Sequence, residues 1–302
     1  KKNGYYMTKN PIGYKGDYVT SPNISIMFSE IIAIWIISFW EKLKHPKKIN
    51  IVELGAGNGE MMFQILNSIE KFKDFKLASN YYIVEKSPYL KNLQKKKINS
   101  YKIKWIDNIN KIPKYPSIFL ANEFFDALPI KQFTKKNNKW FEKYIIFKNK
   151  KLQFCEKKTS SYFIEKLIKE KITKNQRFIE YSPLAFKKLE IISNIVKKQN
   201  GGLLIIDYGY DNKNMFNSLQ SIKNHKHTNF LENYYKSDIT HLINFNLFKK
   251  KIKKLKLDLI KLTSQREFLL KMGILERAEI ISRNLPFSKK ADIYFRINRL
   301  IN

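Results

Sequence analysis

Ile51-Val-Glu-Leu-Gly-Ala-Gly-Asn-Gly59 places an acidic residue and three glycines where an apolar run gives way to a helical pattern. Asn50 to Leu54 is short and apolar with one carboxylate, the composition of a strand buried in a parallel sheet. Met61-Met-Phe-Gln-Ile-Leu66 then begins an apolar pattern of helical spacing. Between them Gly55, Gly57 and Gly59 alternate with Ala56 and Asn58. Such a turn lets a ligand approach bare backbone and sets its polar group near the positive end of the next helix. A dinucleotide-binding loop, G-x-G-x-x-G, would require glycine at 60, and position 60 is Glu. Taken alone, the loop would serve equally as a tight strand-to-helix connection.

Tyr81-Tyr-Ile-Val-Glu85 reads as the next strand, ending in a carboxylate 26 residues beyond Gly59. That distance holds one helix and a loop, so a βαβ unit closes. An acidic residue at the end of the second strand of a doubly wound fold accepts hydrogen bonds from ribose hydroxyls. Together the two blocks point to a nucleoside-containing cofactor. Asp107, just past a third strand at Trp105-Ile106, could receive an adenine amine or could simply cap a turn. The fourth block, Ile118-Phe-Leu-Ala-Asn122-Glu123-Phe-Phe-Asp126-Ala-Leu-Pro129, sets two carboxylates and an amide beside two aromatics after an apolar strand. In this fold ligands bind outside the carboxyl ends of the strands. The carboxylates of Glu123 and Asp126 would then hold a cationic substrate group and take its proton, with Phe124 and Phe125 excluding water. The competing reading is a helix start, with Asn122 as N-cap and the two acids favouring the helix dipole.

The pattern Glu-x-Gly-x-Gly-x-Gly at 53–59 is that of S-adenosylmethionine-dependent methyltransferases, in which the amino-acid end of the cofactor sits against the loop. More broadly the chain resembles the MidA-type methyltransferases. The resemblance rests on Gly4-Tyr-Tyr-Met7, Gly16-Asp17-Tyr-Val-Thr20-Ser21-Pro22-Asn-Ile-Ser25, Glu53-Leu-Gly-Ala-Gly57 and Val84-Glu85-Lys-Ser-Pro88. It continues through Ala121 to Pro129, Glu180-Tyr-Ser-Pro183, Gly201 to Gly209, Asp238-Ile-Thr240 and Ser264-Gln265. Family members are related to the mitochondrial factor that methylates an arginine on a respiratory complex I subunit. The resemblance implies S-adenosylmethionine as cofactor, held by Glu53, Gly55, Ala56, Gly57, Gly59, Glu85 and Asp107. It implies a protein substrate, and symmetric dimethylation of an arginine by Asn122, Glu123 and Asp126. Glu123 and Asp126 would orient the guanidinium and Asn122 would fix its edge. Asp17, Thr20, Ser21, Phe124, Phe125, Asp207 and His241 would line the substrate pocket. Three positions depart from the family pattern: Asn23 stands where Glu is usual, Ala56 where Pro is common, and Asn58 where Arg is frequent.

Composition bounds the alternatives. The formal net charge of +32 would ordinarily suggest nucleic acid. Yet only six of the 58 basic residues are Arg, and Ile and Asn are abundant with the Lys, a signature of A/T-rich coding rather than of a phosphate-binding face. Lysine runs such as Lys95–Lys97 and Lys249–Lys251 read as solvated faces, with a residual, salt-sensitive affinity for anionic surfaces. The single cysteine, Cys155, excludes a disulfide framework and a cysteine-based zinc site, and fits a reducing compartment. His45, His225, His227 and His241 do not have metal-ligand spacing, so no metal is expected. No signal peptide opens the chain, and Ile26 to Trp40, short and carrying Ser29, Glu30 and Ser38, reads as a buried helix begun at Thr20-Ser21-Pro22 rather than a membrane span.

The expected architecture is α/β: a class I, Rossmann-like, mostly parallel sheet with helices on both faces and added substrate-recognition segments. Residues 1–48 would form a pocket loop and helix, 49–209 the core with a hairpin near 135–160, and 210–302 an excursion over the cofactor face and the end of the core. Both Ile179-Glu-Tyr-Ser182 and Gly202 to Asp207 would return to the parallel sheet, and Lys249 to Lys261 would be a solvated helix. Against the family pattern the chain reads as trimmed at both ends. The compartment would be a bacterial cytoplasm, favoured by the A/T-rich composition, or a mitochondrial matrix. Rival readings are a methyltransferase of RNA or a small molecule, and a non-catalytic assembly factor with a vestigial cofactor site; the sequence leaves the oligomeric state open.

Overall fold

The structure, a computed structural model, describes residues 4–13, 16–159, 161–232 and 235–302. The chain forms two compact units: Lys1–Asn122 with Asn194–Ile206 and Ile260–Asn302, and Glu123–Ser193 with Asp207–Leu259. Two larger sheets are built from β1 (Ile49–Leu54), β2 (Ser79–Val84), β3 (Ile103–Ile106), β4 (Ser117–Asn122), β5 (Lys131–Lys136), β6 (Lys139–Lys148), β7 (Lys151–Lys158), β8 (Phe178–Tyr181) and β9 (Gly202–Ile206).

The first unit holds the parallel sheet, in the order β3-β2-β1-β4-β9. Ile51 lies opposite Tyr81 on one side and Ile118 on the other, and Ile118 opposite Gly202. Strand order therefore reverses between β1 and β4, and the crevice at that reversal is where a doubly wound fold takes its ligand. Every residue of β1 is buried. Alternation sends Ile49 and Ile51 to one face, with Ile118 and Leu120, against helix Ile26–Lys42, helix Glu60–Ile69 and the three C-terminal helices. On the other face Val52, Leu54, Val84 and Phe119 are buried as well, so both faces are covered, as a parallel sheet requires. The edge strand β9 meets β4 closely: a Cβ on Gly201 would lie 2.1 Å from the Ser117 carbonyl oxygen, which leaves room only for hydrogen.

Helix Ile26–Lys42 explains the apolar run near the N-terminus, because its aliphatic residues form the centre of this core. Ser25, not Thr20, caps it, accepting from the Met27 amide at 3.3 Å, while Ser21–Ile24 makes a separate short helix. Glu30 takes a two-pronged bond from Arg277 (Nε at 2.9 Å, Nη2 at 2.8 Å), tying this helix to Ile274–Ser282. Among the described residues no helix is long and apolar enough to cross a membrane.

The second unit holds an antiparallel sheet in the order β7-β6-β5-β8. Here the sequence reading needs correction: Ile179 to Ser182 does not return to the parallel sheet. β8 pairs antiparallel with β5, Ile179 opposite Phe133. A four-residue apolar strand carries no mark of its partner, which is why periodicity missed this. β6 and β7 form a hairpin whose two turn residues, Asn149 and Lys150, both have positive φ. The polar excursion after Tyr210 contains a small antiparallel sheet of Gln220–Lys223, Lys226–His227 and Asp238–Thr240. The basic segment expected as a helix over 249–261 is helical only to Lys254; that helix begins at Phe245, with Asn244 Oδ1 accepting from the Leu247 amide at 2.9 Å.

Candidate active site

In the first unit the turn after β1 is left-handed at all three glycines, with φ of 64° at Gly55, 55° at Gly57 and 81° at Gly59. Ile12 lies on this turn, for a Cβ on Gly57 would come 2.4 Å from its Cδ1. Ala56 is buried beneath the loop, its carbonyl accepting from the Gly59 amide at 2.7 Å. The two family departures at 23 and 58 prove to be partners: Asn58 Nδ2 donates to Asn23 Oδ1 at 2.8 Å. A neutral amide pair stands where Glu and Arg would make a charged one. Asn23 Nδ2 in turn donates to Thr20 Oγ1 at 2.8 Å.

Glu53, the last acid of β1, is 3% exposed and its Oε2 has no hydrogen-bond partner. Burial, with Glu85 adding repulsion, pushes its pKa up to about 8. The folded chain thus holds a proton that the unfolded chain releases near 4.5, and stability falls as pH rises between those values. Each unit of the raised pKa corresponds to about 1.4 kcal/mol. Glu53→Gln is expected to melt with a shallower loss of Tm between about pH 5 and about pH 9 than the parent chain; an unchanged slope would assign the pH dependence to other groups.

Glu85 follows β2 and is also pushed up by burial. The Ser87 amide donates to its Oε1 at 2.8 Å and Gln94 Nε2 to its Oε2 at 3.1 Å. Gln94, which the sequence reading missed, is fully buried on helix Pro88–Lys97. Its one sequence signal is an uncharged polar residue four positions after the buried Leu90. Asp107, at the end of β3, is exposed and ion-paired with Lys111 at 2.7 Å, which holds its carboxyl below the usual range. Asn108 rather than Asp107 caps the following turn, accepting from the Asn110 amide at 3.0 Å. Asp17 is buried and accepts from Tyr5 Oη at 2.5 Å and Lys9 Nζ at 2.6 Å. Ser21 Oγ donates to Gln265 Oε1 at 3.3 Å, turning toward the C-terminal helices. Asn122 ends β4, the strand beside β1.

These residues fit S-adenosylmethionine: the loop presents glycine backbone, Glu85 has both oxygens aimed by donors, and Glu53 is a buried carboxyl with an orphaned oxygen suited to a cationic amine.

In the second unit the block after β4 forms turns, not a helix, so the N-cap reading of Asn122 is not met. Glu123 adopts φ of 47°, a left-handed conformation that costs a non-glycine residue about 1–3 kcal/mol. Asp207 fixes the turn by accepting from the Phe125 amide at 2.9 Å and the Asp126 amide at 3.3 Å, and also from the Tyr208 amide at 2.9 Å. Asp126 is buried with Oδ1 unpartnered; desolvation, then Asp207, Glu123 and Asp238, raise its pKa well above the usual carboxylate range. Asp207 is pushed up to about 7, chiefly by burial and against four backbone donors, from Phe124, Phe125, Asp126 and Tyr208. Repulsion from Glu123 is the largest cause lifting the Tyr208 phenol to about 12. Four carboxylates thus share one region, where burial raises the pKa values of Asp126 and Asp207 and repulsion from its neighbours adds to that of Asp126.

Phe125 is fully buried and packs edge-on against Phe124 and Phe248, anchoring the turn, while Lys188 lies 5.5 Å over the ring of Phe124. His241 is buried, donates its amide to the Asp126 carbonyl at 3.2 Å and has an unpartnered Nε2; burial lowers its pKa, so the ring is neutral. It lines a cavity of about 20 Å³ with Glu180, Tyr210 and Asn244, room for about one water. Among the described residues no group of His, Cys, Asp and Glu could hold a metal ion.

Residues 31–263 match the family described as "Putative S-adenosyl-L-methionine-dependent methyltransferase". The chain is 30% identical to "Protein arginine methyltransferase NDUFAF7 homolog, mitochondrial" of Caenorhabditis elegans, over 91% of this chain and 70% of that protein. It is 28% identical to the Danio rerio "Protein arginine methyltransferase NDUFAF7, mitochondrial", over 99% of this chain and 76% of that one. A COG1565 superfamily member from Burkholderia thailandensis, solved with S-adenosyl-homocysteine, shares the fold with a TM-score of 0.81 at 18% identity, covering 100% of this chain and 80% of that one.

Proposed function

The chain belongs to this family of S-adenosyl-L-methionine-dependent methyltransferases, and from that membership we propose that it methylates arginine in a protein, making symmetric dimethylarginine on a respiratory complex I subunit. The observation that supports the acceptor class is the carboxylate group of Glu123, Asp126, Asp207 and Asp238, which suits a guanidinium and disfavours an anionic acceptor. The names of the relatives support the same class. Once bound, the cofactor supplies a methyl on a cationic sulfonium.

The remaining task belongs to the chain's own residues. Glu123 and Asp126 orient the guanidinium, and Asn122 fixes its edge. Asp207 holds the turn through two backbone amides, so the acids are in place before substrate arrives. Arginine's pKa is too high for prior deprotonation, so its proton leaves with or after transfer. A carboxylate of this group takes that proton, and Asp207, with its pKa pushed up to about 7, is matched to neutral pH for that role. The A/T-rich composition supports a bacterial cytoplasm as the compartment, and the relatives named above are mitochondrial.

Incubating the protein with radiolabelled S-adenosylmethionine and a complex I extract should transfer label to one protein, with symmetric dimethylarginine in its hydrolysate. Label in RNA or in small molecules alone would overturn the acceptor class.

A further inference from the structure

Three strand ends of the parallel sheet are joined by one side chain. Gln94 Nε2 donates to the Gly57 carbonyl at 2.9 Å and to Glu85 Oε2 at 3.1 Å, while its Oε1 accepts from Trp105 Nε1 at 3.0 Å. The Gln94 side chain is 0% exposed, while its three partners are half-buried. Gly57 lies in the turn after β1, Glu85 just past β2, and Trp105 in β3 two residues before Asp107. These are the segments that carry the loop, the acid and the aspartate expected to meet the cofactor. The helix bearing Gln94 is itself held fast: Ser87 caps it by accepting from the Leu90 amide at 3.1 Å and donates its own hydroxyl to the Tyr6 carbonyl at 2.6 Å. Gln94 also packs beneath the loop, its Cγ 3.3 Å from where a Cβ on Gly59 would stand.

We propose that Gln94 is a positioning residue for the nucleoside half of the cofactor, setting the Glu85 carboxylate and the Gly57 peptide in the geometry that receives the ribose. The inference rests on Glu85 as the ribose acceptor. With one oxygen fixed by the Ser87 amide and the other by Gln94, the carboxylate cannot rotate, and its remaining lone pairs face a constant direction. Without Gln94 the half-buried carboxylate loses a side-chain hydrogen-bond donor and must be reordered by the ligand at the ligand's cost. A residue that only fills space would not couple to Glu85 in this way.

The test is a double-mutant cycle read by calorimetric titration with S-adenosyl-homocysteine, using Gln94→Met, which keeps an unbranched side chain of similar length, and Gln94→Leu as a second apolar replacement. Glu85→Gln and Gln94→Met should each weaken binding roughly ten- to hundredfold. In the Glu85→Gln background Gln94→Met should cost clearly less than in the parent, because one of the two groups it positions is already gone. Losses that multiply in both Gln94 variants would overturn the positioning role while leaving the cofactor site intact. If Glu85→Gln binds like the parent protein, the ribose reading itself fails, and Gln94 with it.

Discussion

Gly57→Val is expected to lower affinity for S-adenosyl-homocysteine more than about a hundredfold, and with it all transfer. Position 57 has φ of 55°, which costs an L residue about 1–2 kcal/mol and a β-branched one more. The new Cβ would also meet Ile12 Cδ1 at 2.4 Å. Ile12 can give way, since the atom is the end of an aliphatic side chain, but the backbone conformation cannot be kept at no cost. A flip of the peptide at 57 would relieve the strain, but it would break that carbonyl's bond to Gln94 and disturb the surface proposed to meet the cofactor. Circular dichroism checks that the variant is folded. Calorimetric titration decides: affinity within tenfold of the parent would mean the cofactor does not lie against this turn.

The second large effect concerns turnover. Glu123→Gln should lower kcat by at least about a hundredfold while leaving the Kd for S-adenosyl-homocysteine within about threefold. The amide preserves size and pays the same left-handed backbone strain as the acid, so the substitution isolates charge from shape. Under the proposed mechanism the guanidinium would lose one of the carboxylates that orient it. An independent readout exists in the same variant. Since Glu123 is the first cause of the raised Tyr208 pKa, spectroscopic titration should find a phenol ionising below about 12. Parent-like turnover in Glu123→Gln would remove this residue from the chemistry, whatever the phenol does.

What was legible in the chain follows from how local each signal is. Strand β1, the glycine turn and the acid at 85 are written in contiguous residues, because a buried parallel strand must be apolar and a left-handed turn demands glycine. The parallel sheet followed from two such blocks at the right separation. Gln94 was not legible, since its importance comes from three partners at 57, 85 and 105 and only its place on the buried side of a lysine-rich helix sets it apart. β8 was assigned to the wrong sheet for a related reason: pairing is a long-range fact, and a strand of four residues looks the same whichever neighbour it has. Asp207 was placed in the pocket by resemblance alone. Its physical role, accepting from the Phe125 and Asp126 amides 81 and 82 residues away, has no counterpart in local pattern.

The bond between Asn58 and Asn23 has a consequence for how such a chain can change over generations. Where relatives carry Glu and Arg at these positions, a lineage that exchanges one partner first leaves an ion facing an amide beside the cofactor loop. Exchange of both together would keep the contact, ionic in one form and neutral in the other. In this chain the neutral pair holds the N-terminal segment to the loop by a contact that salt screens less than it would an ion pair.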